Sequence, residues 1–191
     1  ARALCHIGAA QVLSEAGFRF SAVYGCSMGA IVGGSLCEGR DPGELADIWQ
    51  DISTWTFLRP RLGKNAFFSR APLERLVRES VDARDFSDLV IPLMVSCTDL
   101  RTGQSVRIDE GPLISALVAS SVFPGFYEPV SRQGMLIADG GYTDPIPFPE
   151  NSDNLCVLID ASVRPSIERY NENKIFANCV RGLDVLMGSY V

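Results

Sequence analysis

Apolar residues follow two different spacings along this chain of 191 residues. Helical spacing is clear in residues 1–16, where Gly17 follows as a C-cap. Similar signals predict helices over 27–38, 42–52, 72–81 and 111–122, and a helical apolar stripe runs through 174–187. Apolar runs predict strands over 18–25, 89–100, 135–141 and 154–162, and 102–109 is expected to pair with 89–100 through a turn at Thr102-Gly103.

The order of these elements predicts the fold class. Strands alternate with helices, which favours an α/β fold with a mostly parallel central sheet flanked by helices. The length and the apolar fraction of 47% favour a single domain over residues 1–191 with a substantial core. Residues 162–174 are predicted to form a loop.

Charge and cysteine content limit the possible partners and the expected location of the protein. Lysine and arginine number 17 against 23 acidic residues, so the net charge of −6 argues against a nucleic-acid partner. Membrane contact would therefore need a local patch, and no apolar run is long enough to predict a membrane-spanning helix. The six cysteines have no metal or redox spacing, which favours reduced thiols in a reducing compartment. The expected location is cytoplasmic or peripheral to a membrane.

A candidate nucleophile lies between the strand 18–25 and the helix 27–38. The residues Gly25-Cys26-Ser27-Met28-Gly29 have the Gly-x-Ser-x-Gly form of a nucleophile elbow, a sharp turn that raises the serine above the sheet. Side chains at Gly25 and Gly29 are expected to clash with the strand and the helix. The N–H of Met28 is then a candidate oxyanion donor. The alternative is a glycine-rich turn in which Ser27 only caps the helix.

The partner of Ser27 has to be something other than a downstream histidine. The single histidine, His6, precedes Ser27, whereas α/β-hydrolases have the order serine, acid, histidine. Asp139 is the candidate base because it ends the strand 135–141 and precedes Gly140 and Gly141, which allow a close approach. Burial would raise the pKa of Asp139 and make it a better base. The alternative is that Asp139 only stabilises an Asx-turn.

The two motifs together resemble the patatin-like phospholipase family. The elbow and Asp139-Gly140-Gly141 match in form, and "SCTDLRTGQSV" and "GPLISALVASSVFPGFYEPV" between them are also similar, so the resemblance covers most of residues 1–161. It implies a lipid acyl hydrolase with a Ser–Asp dyad, in which Ser27 attacks an ester of a phospholipid or lysophospholipid and Asp139 takes its proton. It also implies that no metal or other cofactor is needed.

The resemblance also implies a glycine-rich loop just before an arginine that matches Arg2. Those glycines are absent from this sequence, so we expect the loop to precede residue 1. One alternative is a non-catalytic lipid-binding or regulatory module with an incomplete oxyanion hole. Another is an acyltransferase, although acyltransferases with a similar elbow generally use a histidine and none follows Ser27.

One segment is a candidate for membrane or acyl-chain contact. Residues 52–73 contain four basic residues and no acidic residue. The aromatic side chains of Trp55, Phe57, Phe67 and Phe68 are interleaved with them. Such a segment could lie on a membrane surface or line an acyl groove. The alternative is that the aromatic side chains fold inward and the cations form a solvated face.

Overall fold

Helices and strands alternate through most of the chain in the computed structural model, which describes residues 3–50, 52, 57, 60, 66–150 and 154–161. In chain order the elements are α1 (Ala3–Glu15), β1 (Val23–Cys26), α2 (Met28–Cys37), α3 (Pro42–Gln50), α4 (Ala71–Ser80), β2 (Leu93–Asp99), β3 (Gln104–Ile108), α5 (Leu113–Ser120), β4 (Val130–Arg132) and β5 (Met135–Asp139). Short 3₁₀ helices cover Phe86–Asp88 and Gly140–Tyr142. The predicted helices up to residue 122 are present with slightly shifted ends.

The sheet is mixed, so the predicted α/β class is confirmed and the prediction of a mostly parallel sheet is wrong. Only the β1–β2 pairing is parallel among the described strands, whereas β2–β3, β2–β5 and β4–β5 are antiparallel. For two of these three pairings the reason is the length of the connection, because β2–β3 and β4–β5 are joined by short turns that cannot cross back over the sheet. The β4–β5 turn has positive φ at Gln133 and Gly134, the signature of a two-residue hairpin.

The core forms where α2 and α5 pack on β2. All residues of β2 are buried, as expected for a strand with neighbours on both edges. α2 is rich in small residues and is buried along nearly its whole length, and Ile31 is fully buried. α5 contributes Leu113 and Leu117, also fully buried. These two helices therefore carry the residues that surround the end of β1.

The strands expected over 89–100 and 135–141 are present but shorter, at Leu93–Asp99 and Met135–Asp139, and two other strand predictions need larger corrections. The strand expected over 18–25 is limited to Val23–Cys26, because β1 pairs only with residues 93–96. The strand expected over 154–162 is absent, since residues 154–161 have no strand partner and Leu155 is 81% exposed. An apolar run predicts a strand only where a free sheet edge is available to pair with it.

The chain divides into two compact units, Ala1–Ile159 and Asp160–Val191. The elements above belong to the first unit, and the prediction of one domain over 1–191 stays a prediction. The predicted loop 162–174 and the helical stripe of 174–187 lie outside the described residues. In the part of the chain that the structure describes, no helix has the length and apolar character needed to cross a bilayer.

Candidate active site

The central strand β2 brings the ends of β1 and β5 together. β3 pairs with residues 95–99 of β2 and occupies one edge of that strand. β1 pairs with 93–96 and β5 with 97–99, so both must use the other edge, because a strand has only two edges. β1 runs parallel to β2 and β5 runs antiparallel to it. The two strands therefore point towards each other along the same edge.

Ser27 and Asp139 lie where these two strands meet. Cys26, the last residue of β1, pairs with Ser96, and Asp139, the last residue of β5, pairs with Cys97. Consecutive Cα atoms on β2 are only about 3.8 Å apart. The register alone therefore places the two strand ends side by side. Ser27 Oγ donates a hydrogen bond to Asp139 Oδ2 at 2.7 Å.

The backbone of Ser27 has a conformation that residues other than glycine rarely adopt. Its φ is 54° and its ψ is −127°, which costs on the order of 1–3 kcal/mol for a residue with a Cβ. The carbonyl of Ser27 accepts the N–H of Ala30 at 3.0 Å, so α2 begins directly after the turn. A Cβ at Gly25 would lie 2.5 Å from Ala30 Cα. The predicted steric need for glycine therefore holds at Gly25.

The same expectation fails at Gly29. A Cβ there would lie 3.5 Å from His6 Nε2, which is an ordinary van der Waals contact. Gly29 is the second residue of α2, where a side chain can project away from the turn. His6 lies in α1, as predicted, and its ring is next to the first turn of α2.

Asp139 is buried and its two carboxylate oxygens have different partners. Oδ2 accepts the Ser27 hydroxyl, and Oδ1 accepts the N–H of Gly141 at 2.8 Å. The Cys26 thiol lies 3.9 Å from Oδ1 as a weak third donor. Burial raises the pKa of Asp139 to about 6, although the three hydrogen bonds lower it in part. The Asx-turn alternative and the dyad thus coexist, one on each oxygen.

The turn after Asp139 requires a glycine at its first position. A Cβ at Gly140 would lie 2.6 Å from the carbonyl carbon of Ser96, because the 3₁₀ helix Gly140–Tyr142 packs directly on β2. Thr98 Oγ1 donates to the carbonyl of Asp139 at 2.9 Å from the same strand. The backbone at Asp139 is therefore held against β2.

The backbone donors of the elbow have different roles. The N–H of Ser27 donates to Ser120 Oγ at 2.8 Å and is therefore engaged. Met28 is the first residue of α2, so its N–H has no acceptor within the helix and is available as a donor. Arg2, the other residue predicted near an oxyanion hole, lies outside the described residues.

Sequence reasoning missed the buried polar residues around the dyad. Ser96, Thr98 and Ser120 are almost fully buried, and each donates a hydrogen bond. A usable signal was present, because all three are polar residues inside strongly apolar segments. Buried hydroxyl groups almost always have partners, so such residues indicate a local network.

The four aromatic residues predicted to contact lipid have different surroundings. Phe57 packs against the core, as the inward-folding alternative expects, and Trp55 lies outside the described residues. The ring of Phe68 stacks on Phe126 with centroids 5.9 Å apart. Phe67 is 72% exposed, so it remains the described member of this set that is available for contact with a membrane.

The dyad does not lie in the cleft between α4 and α5. That cleft has a volume of about 510 Å³ and is lined by Arg70, Arg78 and Arg84, with Ile114 and Val118 from α5. Neither Ser27 nor Asp139 lines it. The candidate active site is therefore located by the hydrogen bond between Ser27 and Asp139, and the cleft is a separate feature.

Comparison with known proteins identifies the class to which this fold and site belong. The profile of the patatin-like phospholipases matches residues 1–151, so the chain belongs to the patatin-like phospholipase family. An uncharacterized NTE family protein of Mycobacterium bovis is 37% identical over 151 residues, which is 78% of this chain and 42% of the relative. Lysophospholipase NTE1 of Cryptococcus neoformans is 28% identical, over 84% of this chain and 10% of the relative.

Two further proteins match much of the same chain. The neuropathy target esterase sws of Drosophila persimilis is 29% identical, over 77% of this chain and 11% of its own length. The crystal structure of VipD from Legionella pneumophila superposes with a TM-score of 0.64 at 14% identity, over 80% of this chain and 46% of VipD, and supports the fold alone. The chain thus spans less than half the length of each of these proteins.

Proposed function

We propose that this chain is a serine lipid acyl hydrolase that cleaves fatty-acyl esters of phospholipids or lysophospholipids. The observation that carries the proposal is the 2.7 Å hydrogen bond from Ser27 Oγ to Asp139 Oδ2, both of which lie in the region that matches the patatin-like phospholipase family. A hydroxyl on a strained turn and a buried carboxylate are the two parts that nucleophilic catalysis needs.

In the first half of the reaction, Ser27 Oγ attacks the ester carbonyl carbon and its proton passes to Asp139 Oδ2. The pKa of about 6 makes Asp139 a far better base than an ordinary aspartate while leaving it ionised at neutral pH. The N–H of Met28 would donate to the oxyanion, an interaction of a type worth about a hundred- to a thousandfold in rate. The bond to the alcohol then breaks, and the alcohol leaves with the proton from Asp139.

In the second half, water cleaves the acyl-Ser27 ester. Asp139 accepts a proton from the water as its oxygen attacks the carbonyl carbon. The tetrahedral intermediate then collapses, releases the fatty acid and returns the proton from Asp139 to Ser27 Oγ. Each half of the cycle thus uses the same carboxylate oxygen as base and then as acid.

The names of two relatives support the substrate class. One is called a lysophospholipase and the other an esterase, both of which act on esters. The alternative of a non-catalytic lipid-binding module would leave a buried, ionisable carboxylate beside a strained serine with no use for either. Such costly features are typical of functional sites.

The test measures fatty-acid release from phospholipid and lysophospholipid by the wild type, Ser27→Ala and Asp139→Asn. The full-length protein should be used, so that every part of its chain can contribute to the oxyanion hole. We expect both variants to lose at least about a thousandfold in kcat with folding preserved, because each removes half of the dyad. A fluorophosphonate probe should label the wild type and not Ser27→Ala. Equal release by Asp139→Asn and wild type would remove Asp139 from its role.

We further propose that Phe67 contacts anionic membranes. It is highly exposed and belongs to the basic segment 52–73 of an acidic protein. Phe67→Ser should weaken binding to anionic vesicles while leaving hydrolysis of a short soluble ester unchanged. Phe148→Ser is the matched control, because Phe148 is 50% exposed and lies outside this segment. Equal vesicle binding by both variants would contradict the proposal.

A further inference from the structure

The C-terminal end of α5 and the residues directly after it hold both members of the dyad by their own main-chain amides. The N–H of Ser27 donates to Ser120 Oγ at 2.8 Å, and the N–H of Asp139 donates to the carbonyl of Val122 at 3.0 Å. Ser120 and Val122 are both fully buried, so both acceptors are shielded from water. One short piece of chain therefore contacts both strand ends at the point where they meet.

The Ser120 hydroxyl links the elbow to the central strand. It accepts from Ser27 and donates to the carbonyl of Ser96 at 2.7 Å. Ser96 is the residue of β2 that pairs with the last residue of β1, and its Oγ donates to the carbonyl of Asp144 at 2.9 Å. Ser96 thus contacts Ser120 through its main-chain carbonyl and the segment after the aspartate through its side-chain hydroxyl.

The hydrogen bond from the Ser27 N–H to Ser120 helps to hold the unfavourable backbone conformation of Ser27. Ser27 has φ 54°, and a residue in such a conformation persists only when its surroundings hold it there. The α2 helix fixes the carbonyl side of Ser27, through the bond from Ala30, and Ser120 fixes the N–H side. The same bond keeps the Ser27 amide away from the reacting carbonyl, which leaves the Met28 N–H as the elbow donor.

We propose that Ser120 is a positioning residue, which holds the backbone of Ser27 so that Oγ stays within reach of Asp139 Oδ2. The catalytic part of this inference rests on the proposed hydrolase function. Ser120 touches neither the substrate nor the reacting oxygen in this arrangement. It acts through the orientation of Ser27.

The chain offers a matched control in the next residue. Ser121 directly follows α5 and is also buried, but its hydroxyl donates to the carbonyl of Leu117 at 3.0 Å, in the last turn of that helix. Ser120→Ala should lower kcat at least about tenfold, equivalent to about 1.4 kcal/mol in the barrier, with KM changed less than about twofold. Ser121→Ala should keep kcat within about twofold of the wild type. Equal losses in the two variants, or an unchanged kcat in Ser120→Ala, would overturn the proposal.

A second measurement does not depend on activity, and its first part uses the unmodified protein. Amide hydrogen exchange in the unmodified protein should be at least about tenfold slower at Ser27 than at Met28, because the Ser27 N–H alone has a fixed buried acceptor. In Ser120→Ala this difference should shrink, while Asp139, held by a main-chain carbonyl, stays protected. Equal exchange at Ser27 and Met28 in the wild type would show that the hydrogen bond is absent.

The two measurements separate this inference from the proposed function. A protected Ser27 amide in a protein that hydrolyses no lipid ester would support the hydrogen bond and reject the hydrolase. Normal hydrolysis with an unprotected Ser27 amide would support the hydrolase and reject the role of Ser120.

Discussion

The candidate site has two halves, the elbow at Ser27 and the turn at Asp139, and each contains a different unfavourable feature. At the elbow, the unfavourable feature is conformational, because Ser27 has φ 54° in spite of its Cβ. At the aspartate turn, the backbone is ordinary, with φ −50° and ψ 130° at Asp139, and the unfavourable feature is a buried carboxylate. Backbone strain does not change with pH, whereas the cost of burying a charge does. Substitutions and pH can therefore separate the two halves.

The two halves are also held in different ways. The elbow depends on close backbone packing, since a Cβ at Gly25 would overlap the backbone of Ala30. The carboxylate depends on donors, the strongest of which are the Ser27 hydroxyl and the Gly141 N–H. The elbow should therefore be sensitive to added volume and the aspartate to changes in charge.

The largest effect is expected from adding a methyl group at the elbow. Gly25→Ala should destabilise the protein by about 3 kcal/mol, because backbone atoms rather than a flexible side chain would have to move. Gly29→Ala should change the free energy of unfolding by less than about 1 kcal/mol, since its Cβ would make ordinary contacts and alanine favours the helix. Urea denaturation of both variants tests this pair, and similar losses would mean that the elbow packs differently.

The next largest effect is expected at Asp139, where a substitution should increase the free energy of unfolding. The folded pKa of Asp139 is raised, to about 6, so the protonated form stabilises the fold and this stability is lost as pH rises through 6. Asp139→Asn removes the charge but keeps an oxygen for the Gly141 N–H. We therefore expect the variant to be more stable than the wild type at pH 8, by on the order of 2 kcal/mol, and to have a smaller advantage at pH 5.

Thermal unfolding of the two proteins at both pH values measures this difference. All other titrating groups are shared, so they cancel in the comparison to first order. A variant that is less stable than the wild type at pH 8 would mean that the hydrogen bonds of the carboxylate outweigh the cost of its burial.

The two halves also differ in how far the sequence predicted them. The elbow is local, because five consecutive residues between a strand and a helix are sufficient to propose Ser27. The partner of Ser27 lies 112 positions away, and only the two motifs taken together pointed to Asp139. Their adjacency depends on the pairing of Ser96 and Cys97 with different strands, and pairing register is not visible in a single sequence.

The errors in the sheet have the same origin. Helix positions were predicted well because helical spacing is a local property. The directions of the strands, and the absence of a strand at 154–161, depend on which edges of the sheet are free. Ser120 was missed for a related reason, because its acceptor role is defined by Ser27, 93 positions earlier in the chain.

A smaller effect is expected on kcat/KM when the pH is lowered and Asp139 becomes protonated. The reaction needs Asp139 ionised, so kcat/KM should fall about tenfold for each pH unit below about 6 and should be level above pH 7. Fatty-acid release from an uncharged ester should be used, so that titration of the substrate does not contribute. A flat profile between pH 5 and pH 8 would mean that Asp139 is not the base or that its pKa is not raised.

The smallest effect isolates the strain at Ser27. Ser27→Ala and Ser27→Gly both remove the hydroxyl, so both lose the bond to Asp139. Only glycine adopts φ 54° without steric cost, so Ser27→Gly should be more stable than Ser27→Ala by about 1 kcal/mol. The same pair of substitutions at Ser14, exposed in α1, should give the reverse order, because alanine is the better helix former. If alanine is the more stable choice at both positions, Ser27 is not strained, and the contrast between the two halves of the site is lost.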